Sequence, residues 1–384
     1  MQKKLIALAV AGLVSAPAFA QSNVTIYGSV DFGYTFQNRN ITSGVDSRSA
    51  VDSGISKSNR LGFQGTEDLG NGLKAVFVLE TGLAGERSDQ TGLWGGAGNR
   101  QSYLGLAGGF GTVALGRQYT PQHLFTAAVD PFGKNGLGDA SHVLAQDARL
   151  DNLLAYISPT WSGFSFVAGF TNSYSGDEGL ENKSGIGVLG TSPLKDARVW
   201  AFAPSYSSGP IFAALNIHQA RTNESDPLKS IGVIEGYFSY DLKVVKISAL
   251  AGQRKTKLDG GNDLTIKQAL LGVSAPVGPN GKILSSYTYR KVDTDRNFLA
   301  GVATGYGDGA KLGQFSLGYE HSLSKRTTLY AQYAHQTQNR QQKGLLGAGA
   351  LSGAVGAIGA TSSGVWGNGD GYRQGFAVGA RHNF

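Results

Sequence analysis

The sequence predicts an all-β protein, a 16-stranded antiparallel transmembrane β-barrel, and three observations carry that prediction. Segments of roughly ten residues alternate apolar and polar side chains. The breaks between them are short and long by turns. Beyond the leader, no stretch offers the ~18–20 consecutive apolar residues of a spanning helix.

Residues 1–20 read as a signal peptide, with Lys3 and Lys4 as its charged start, an apolar run over 5–14, and Ala18-Phe19-Ala20 as a small-residue cleavage site. The expected mature domain is therefore 21–384. Losing Lys3 and Lys4 takes the formal charge from +7 to +5. Charged residues make up 16% of the chain without a dense Lys/Arg run, so no nucleic-acid partner is expected. The chain has no cysteine, which excludes disulfides and thiolate metal sites. With 57 Gly, 18 Phe and 16 Tyr against 10 Pro, the composition fits twisted strands joined by turns. A mean hydropathy of -0.15 is compatible with a barrel wall, because each strand averages lipid-facing with lumen-facing residues.

In the first strand Val24, Ile26, Val30, Phe32 and Tyr34 share one face, while Thr25, Tyr27, Ser29 and Asp31 share the other. The last strand puts Tyr372, Phe376, Val378 and Phe384 opposite Arg373, Arg381 and Asn383, with His382 breaking the apolar side. Tight turns fall at 68–72, 108–111, 158–163, 207–210, 241–242, 278–281 and 323–326, each rich in turn formers or very short. Longer polar, Gly-rich spaces occupy 36–56, 83–98, 120–148, 174–196, 220–231, 255–264, 293–311 and 339–371. Seven short turns alternating with eight long loops require sixteen strands. Short periplasmic turns and long outer loops are the pattern of bacterial outer-membrane barrels. Lipid offers no hydrogen-bond partner to an open strand edge, so the first and last strands must pair. The competing reading, a soluble all-β protein of sandwiches or propeller blades, leaves an aromatic C-terminus on an apolar-outward strand unexplained.

A barrel of this strand number encloses water and implies passage of small solutes. Loop 120–148 is the segment expected to narrow it, carrying Asp130-Pro131-Phe132-Gly133 with Lys134, Asp139 and Asp147; an ordinary exposed loop is the competing reading. Alternation points Arg60 inward beside outward Leu61 and Phe63, and Glu80 inward against Phe77 and Leu79. Arg100 and Arg149 begin strands near the expected narrowing. An arginine facing hydrocarbon would cost about 2–4 kcal/mol at the bilayer midplane, so the lumen is the cheaper side. Arg60, Arg100 and Arg149 opposite Glu80 and Asp130 would set a transverse field favouring anions, unless they only keep the wall wet.

The chain resembles the general porins of Gram-negative bacteria, of the type common in β-proteobacteria. The resemblance spans the mature chain. It rests on Val24-Thr25-Ile26-Tyr27-Gly28, on Ser58 through Gly70 (SNRLGFQGTEDLG), on 73–82, on Arg100-Gln101-Ser102-Tyr103-Leu104-Gly105-Leu106, on Gly116-Arg117-Gln118-Tyr119, on Leu323-Ser324-Lys325-Arg326-Thr327 and on Arg381-His382-Asn383-Phe384. It implies a homotrimer of barrels in outer-membrane lipid and lipopolysaccharide, each with its own pore for small hydrophilic solutes and inorganic ions, and a third long loop folded inward as an eyelet. Arg60, Arg100 and Arg149 match the family's basic cluster and Glu80 its wall glutamate. The loop acid, Asp130, stands one position from where relatives with Pro-Glu-Phe-Gly have theirs. Phe384 matches the terminal signal that the barrel-insertion machinery reads.

Other functions find less in the sequence. Ser141-His142 lacks a nucleophile elbow and the six histidines lack metal-ligand spacing, so no catalytic residue, metal or cofactor is expected. Sugar-specific channels line the lumen with aromatics, whereas most tyrosines here fall on the apolar parity, Tyr27 excepted. Only about three residues separate Gln21 from the first strand, which leaves no room for a plug domain. A surface-display role for the Gly/Ala-rich stretch 344–371 is compatible with a channel.

Overall fold

The computed structural model describes residues 23–38, 47–83, 99–172, 197–221, 228–258, 263–294, 309–339 and 373–384. The leader at 1–20, Tyr372 and the Gly/Ala-rich stretch 344–371 lie outside them. The strands are β1 (Asn23–Asn38), β2 (Ser47–Ser53), β3 (Arg60–Gly70), β4 (Leu73–Gly82), β5 (Asn99–Gly108) and β6 (Gly111–Tyr119). Helix α1 (Pro121–Val129) and a 3-10 turn (Ala140–His142) follow, then β7 (Arg149–Ile157), β8 (Phe164–Thr171), β9 (Arg198–Ser208), β10 (Ile211–Arg221) and β11 (Leu228–Asp241). The chain ends with β12 (Lys246–Leu258), β13 (Asp263–Val277), β14 (Gly281–Thr294), β15 (Ala310–Ser322), β16 (Thr327–Gln338) and β17 (Gln374–Asn383).

These segments form sixteen staves, because β2 and β3 are two pieces of one. Both pair with the same edge of β1, β2 from Phe32 to Asn38 and β3 from Asn23 to Ser29. Gly54, at φ +67°, opens the break between them. Every other strand pairs antiparallel with its neighbours in sequence, and β17 returns to the free edge of β1 with Ser29 opposite Asn383 and Asn38 opposite Gln374. Two further bonds, Gly28 N to Phe384 O at 3.1 Å and Phe384 N to Gly28 O at 3.2 Å, continue the seam to the last residue. The closed sheet leaves no edge for lipid to meet.

All seven expected tight turns connect the strands that the sequence places around them. The long-loop boundaries need correction. Residues 36–38 continue β1 and 47–53 form β2, while β10 to β15 run past the expected limits at 220, 231, 255, 264, 293 and 311. Above the bilayer both faces of a hairpin are wet, so alternation fades while the backbone ladder continues.

The faces are inverted relative to a soluble protein. On β1, Val24, Ile26, Val30, Phe32 and Tyr34 are exposed toward lipid, whereas Ser29, Asp31, Thr35 and Gln37 are buried inside. The same alternation holds on β11, where exposed Ile234, Phe238 and Tyr240 interleave with buried Val233, Glu235, Tyr237 and Ser239. Those inner residues are buried because segment 120–148 lies against them. Val129, Ala140 and Leu144 pack on Tyr237, Leu250 and Leu270, so the apolar core sits between loop and wall.

Candidate functional site: the eyelet

Segment 120–148 crosses the lumen as an ordered element. Thr120 caps α1, its side chain accepting from His123 N at 3.1 Å, and Pro121 occupies the first turn, where no backbone N–H is needed. The far wall then holds the loop at several points. Gln122 donates to Glu235 (3.0 Å), Gln332 accepts from Leu137 N (2.9 Å), Gln268 accepts from Ala145 N (2.8 Å), and Arg254 pairs with Asp147 (2.8 Å). The Pro131-Phe132 tip rests where the wall has no side chain. A Cβ on Gly272 would lie 2.6 Å from Pro131, and one on Gly318 would lie 2.8 Å from Phe132.

Opposite the loop stand Arg60, Arg100 and Arg149, which border one cavity. Glu80, at the upper end of β4, accepts from Arg100 Nε at 2.5 Å, from Arg60 at 3.4 Å and from the Tyr27 hydroxyl at 3.1 Å. Arg100 and Arg149 both donate to the Tyr119 hydroxyl, at 2.7 and 3.1 Å. The Arg149 guanidinium lies 4.6 Å over the Tyr119 ring, whose plane is within 2° of the His123 ring, 4.2 Å away. Stacking and shared hydrogen bonds hold these long side chains in place. Three guanidinium groups against one carboxylate leave the wall with two positive charges in excess.

A cavity of about 710 Å³ separates this wall from the loop, bordered by Arg60, Arg100, Arg149, Lys134, Asp139 and Gln146. Burial, reinforced by Lys134 and the arginines, depresses the His123 imidazole to about 2, so it adds no charge at neutral pH. Burial also pulls the Lys134 ammonium down, and its Nζ donates to Gln146 at 2.5 Å.

Asp130 corrects the sequence reading. The residue is 4% exposed, and its carboxylate is turned into its own loop, accepting the backbone N–H groups of Phe132 (3.0 Å), Lys134 (3.0 Å) and Ala140 (3.1 Å). Burial, with Asp139 adding to it, raises this carboxyl to about 7 against the pull of those three bonds. Asp130 is the fastener of the loop tip, and Asp139 is the loop acid that borders the cavity. The sequence pattern does not mark Tyr119 and His123 as site residues. The bulge between Gly116 and Gln118 breaks the period-two pattern just before Tyr119, and His123 lies on a helix inside a loop. Among the described residues no group of three or more His, Asp or Glu forms a metal site.

A closed barrel with a lipid-facing apolar surface and a charged internal constriction defines an outer-membrane diffusion channel. The Gram-negative porin family profile matches residues 7–341. Outer membrane porin protein 32 of Delftia acidovorans is 33% identical over 395 residues, covering 100% of both chains. A porin of Bordetella pertussis is 28% identical over 86% of this chain and 93% of its own. Among solved structures, the anion-selective porin from Comamonas acidovorans superposes with a TM-score of 0.71 at 30% identity, covering 95% of this chain and 100% of that one. The chain belongs to the Gram-negative porin family and is an outer-membrane porin, a channel and not an enzyme.

Proposed function

We propose that this porin passes small hydrophilic solutes and inorganic ions with a preference for anions, and that Arg60, Arg100 and Arg149 carry that preference. The observation behind the reading is the unbalanced wall. Glu80 offsets one arginine, His123 is neutral, and the loop contributes the opposed pair Lys134 and Asp139. A cationic surplus in a narrow, low-dielectric-walled passage raises local anion concentration and repels cations. The anion selectivity named for the Comamonas acidovorans structure supports the same direction. Assembly as a homotrimer, contact with lipopolysaccharide and delivery by insertion machinery that reads Phe384 are part of this proposal, on the family's precedent. Reversal potentials in planar bilayers under a KCl gradient test it. Wild type should reverse on the chloride side, and the triple variant Arg60→Gln/Arg100→Gln/Arg149→Gln should move toward or past zero; an unchanged potential removes the cluster from the filter.

A further inference from the structure

Below the eyelet the lumen wall departs from the polar lining expected of a water-filled barrel. A second cavity, about 600 Å³, runs from Tyr119, Thr120 and Pro121 down to Thr112 and Ile157, beside the short turns at 109–110 and 158–163. Its lining is mostly carbon, with Val76 on β4, Leu153 and Ala155 on β7, Val167 on β8, Val199 on β9 and Leu124 of α1. Leu124 is 49% exposed and Ile157 42%, although neither belongs to the lipid face: α1 lies inside the barrel, and Ile157 shares the parity of buried Leu153 and Ala155. Strand β7, which carries Arg149 at its upper end, therefore carries hydrocarbon below it, with Leu153, Ala155 and Ile157. Tyr119 borders both cavities, with its hydroxyl bonded to Arg100 and Arg149.

We propose that the two cavities form one bipartite site for small amphipathic carboxylates, an arylalkanoate or a short fatty acid. The carboxylate engages the Arg100/Arg149 pair, and the apolar tail lies along Leu124, Leu153 and Ile157 beneath the first turn of α1. Each cavity alone, at about 710 and 600 Å³, falls within the ~300–1,000 Å³ typical of small-molecule sites, and an apolar pocket with a few convergent polar groups at one end is their usual construction. Chloride or acetate finds only the head half. A phenyl or alkyl tail adds buried apolar area, so residence in the channel increases with tail size.

The inference rests on the anion-preferring reading, and the test separates the two. Single-channel current in KCl is recorded while acetate or 3-phenylpropanoate is added. We expect 3-phenylpropanoate to interrupt the current at concentrations about tenfold or more below those at which acetate acts. The double variant Leu124→Asn/Ile157→Asn, altered only at exposed positions, should keep its chloride conductance and reversal potential but lose that difference. Arg149→Gln should weaken interruption by both probes. Equal potency of the two probes on wild type, or a tail preference unchanged in the double variant, overturns the bipartite site while leaving anion preference standing. Cation preference in wild type overturns the reading beneath it.

Discussion

Glu80 shows how a single side chain can serve opposite ends in stability and in function. Its side chain is 2% exposed and it holds apart two guanidinium groups that would otherwise face each other across β3, β4 and β5. Removing one member of a buried ion cluster typically costs about 3–5 kcal/mol, and the solvent that reaches both arginines places Glu80→Gln toward or below the lower figure. The same change adds a third uncompensated charge to the wall. Glu80→Gln should therefore unfold at lower denaturant while its reversal potential shifts further toward chloride; a variant that loses stability without that shift would mean Glu80 does not act on passing ions. Glu80 and Arg60 were legible in the sequence because each lies on a strand whose period of two fixes its direction. Asp130 was not, since no such period governs a loop. Its residue type and position beside Pro131 suited the pore equally well, and only the placement of three backbone N–H groups around its carboxylate decides against it.

At the scale of elements, segment 120–148 is held by complementary shape as well as by hydrogen bonds. Gly272 and Gly318 on β13 and β15 are sockets for Pro131 and Phe132. A Val at 272 would force the tip away from the wall, at about 1–3 kcal/mol for overpacking. Gly272→Val should thus keep the barrel but loosen the eyelet, seen as noisier single-channel current and faster proteolysis within 120–148; quiet, wild-type records would mean the tip is fastened elsewhere. The strand segments were readable as a set, turns included, whereas this docking was not, because a glycine in a strand announces a close approach without naming the partner. His123 adds a pH dependence to the same element. Its native ionisation is depressed to about 2 while the undocked loop titrates near the ordinary 6.5, so the undocked form takes up the proton first as pH falls. Docking is then fully supported above about 6.5 and weakens below it, by at most about 1.4 kcal/mol per pH unit. Acid-induced current fluctuations should begin below that pH in wild type and be reduced in His123→Gln, and identical pH profiles would discount this histidine.

The whole molecule depends on closing one seam. Fifteen joins between adjacent staves link strands consecutive in sequence, but the sixteenth pairs the first strand with the last, and this β1–β17 pairing ends at Gly28 and Phe384. Gly28 lies on the lipid-facing parity of β1, yet it is buried, because the Phe384 ring covers it. A Cβ there would collide with that ring and would also come within 2.6 Å of the Arg60 carbonyl oxygen on β3, so both edges of β1 would have to move. The alternation of β1 and β17 reveals which faces they present, but not that a glycine at one end accommodates the last aromatic of the chain. Gly28→Ala should slow closure in refolding into lipid vesicles without any insertion machinery, lowering the heat-modifiable folded fraction, at a cost of about 1–3 kcal/mol. Combining it with Phe384→Ala should recover part of the loss by removing the colliding ring, whereas Val30→Ala, on the same lipid face but away from the seam, should change little. Without assembly factors in the assay, any rescue reports packing at the seam and not recognition of the terminal residue. Unimpaired folding of Gly28→Ala would show that the β1–β17 pairing tolerates displacement of Phe384.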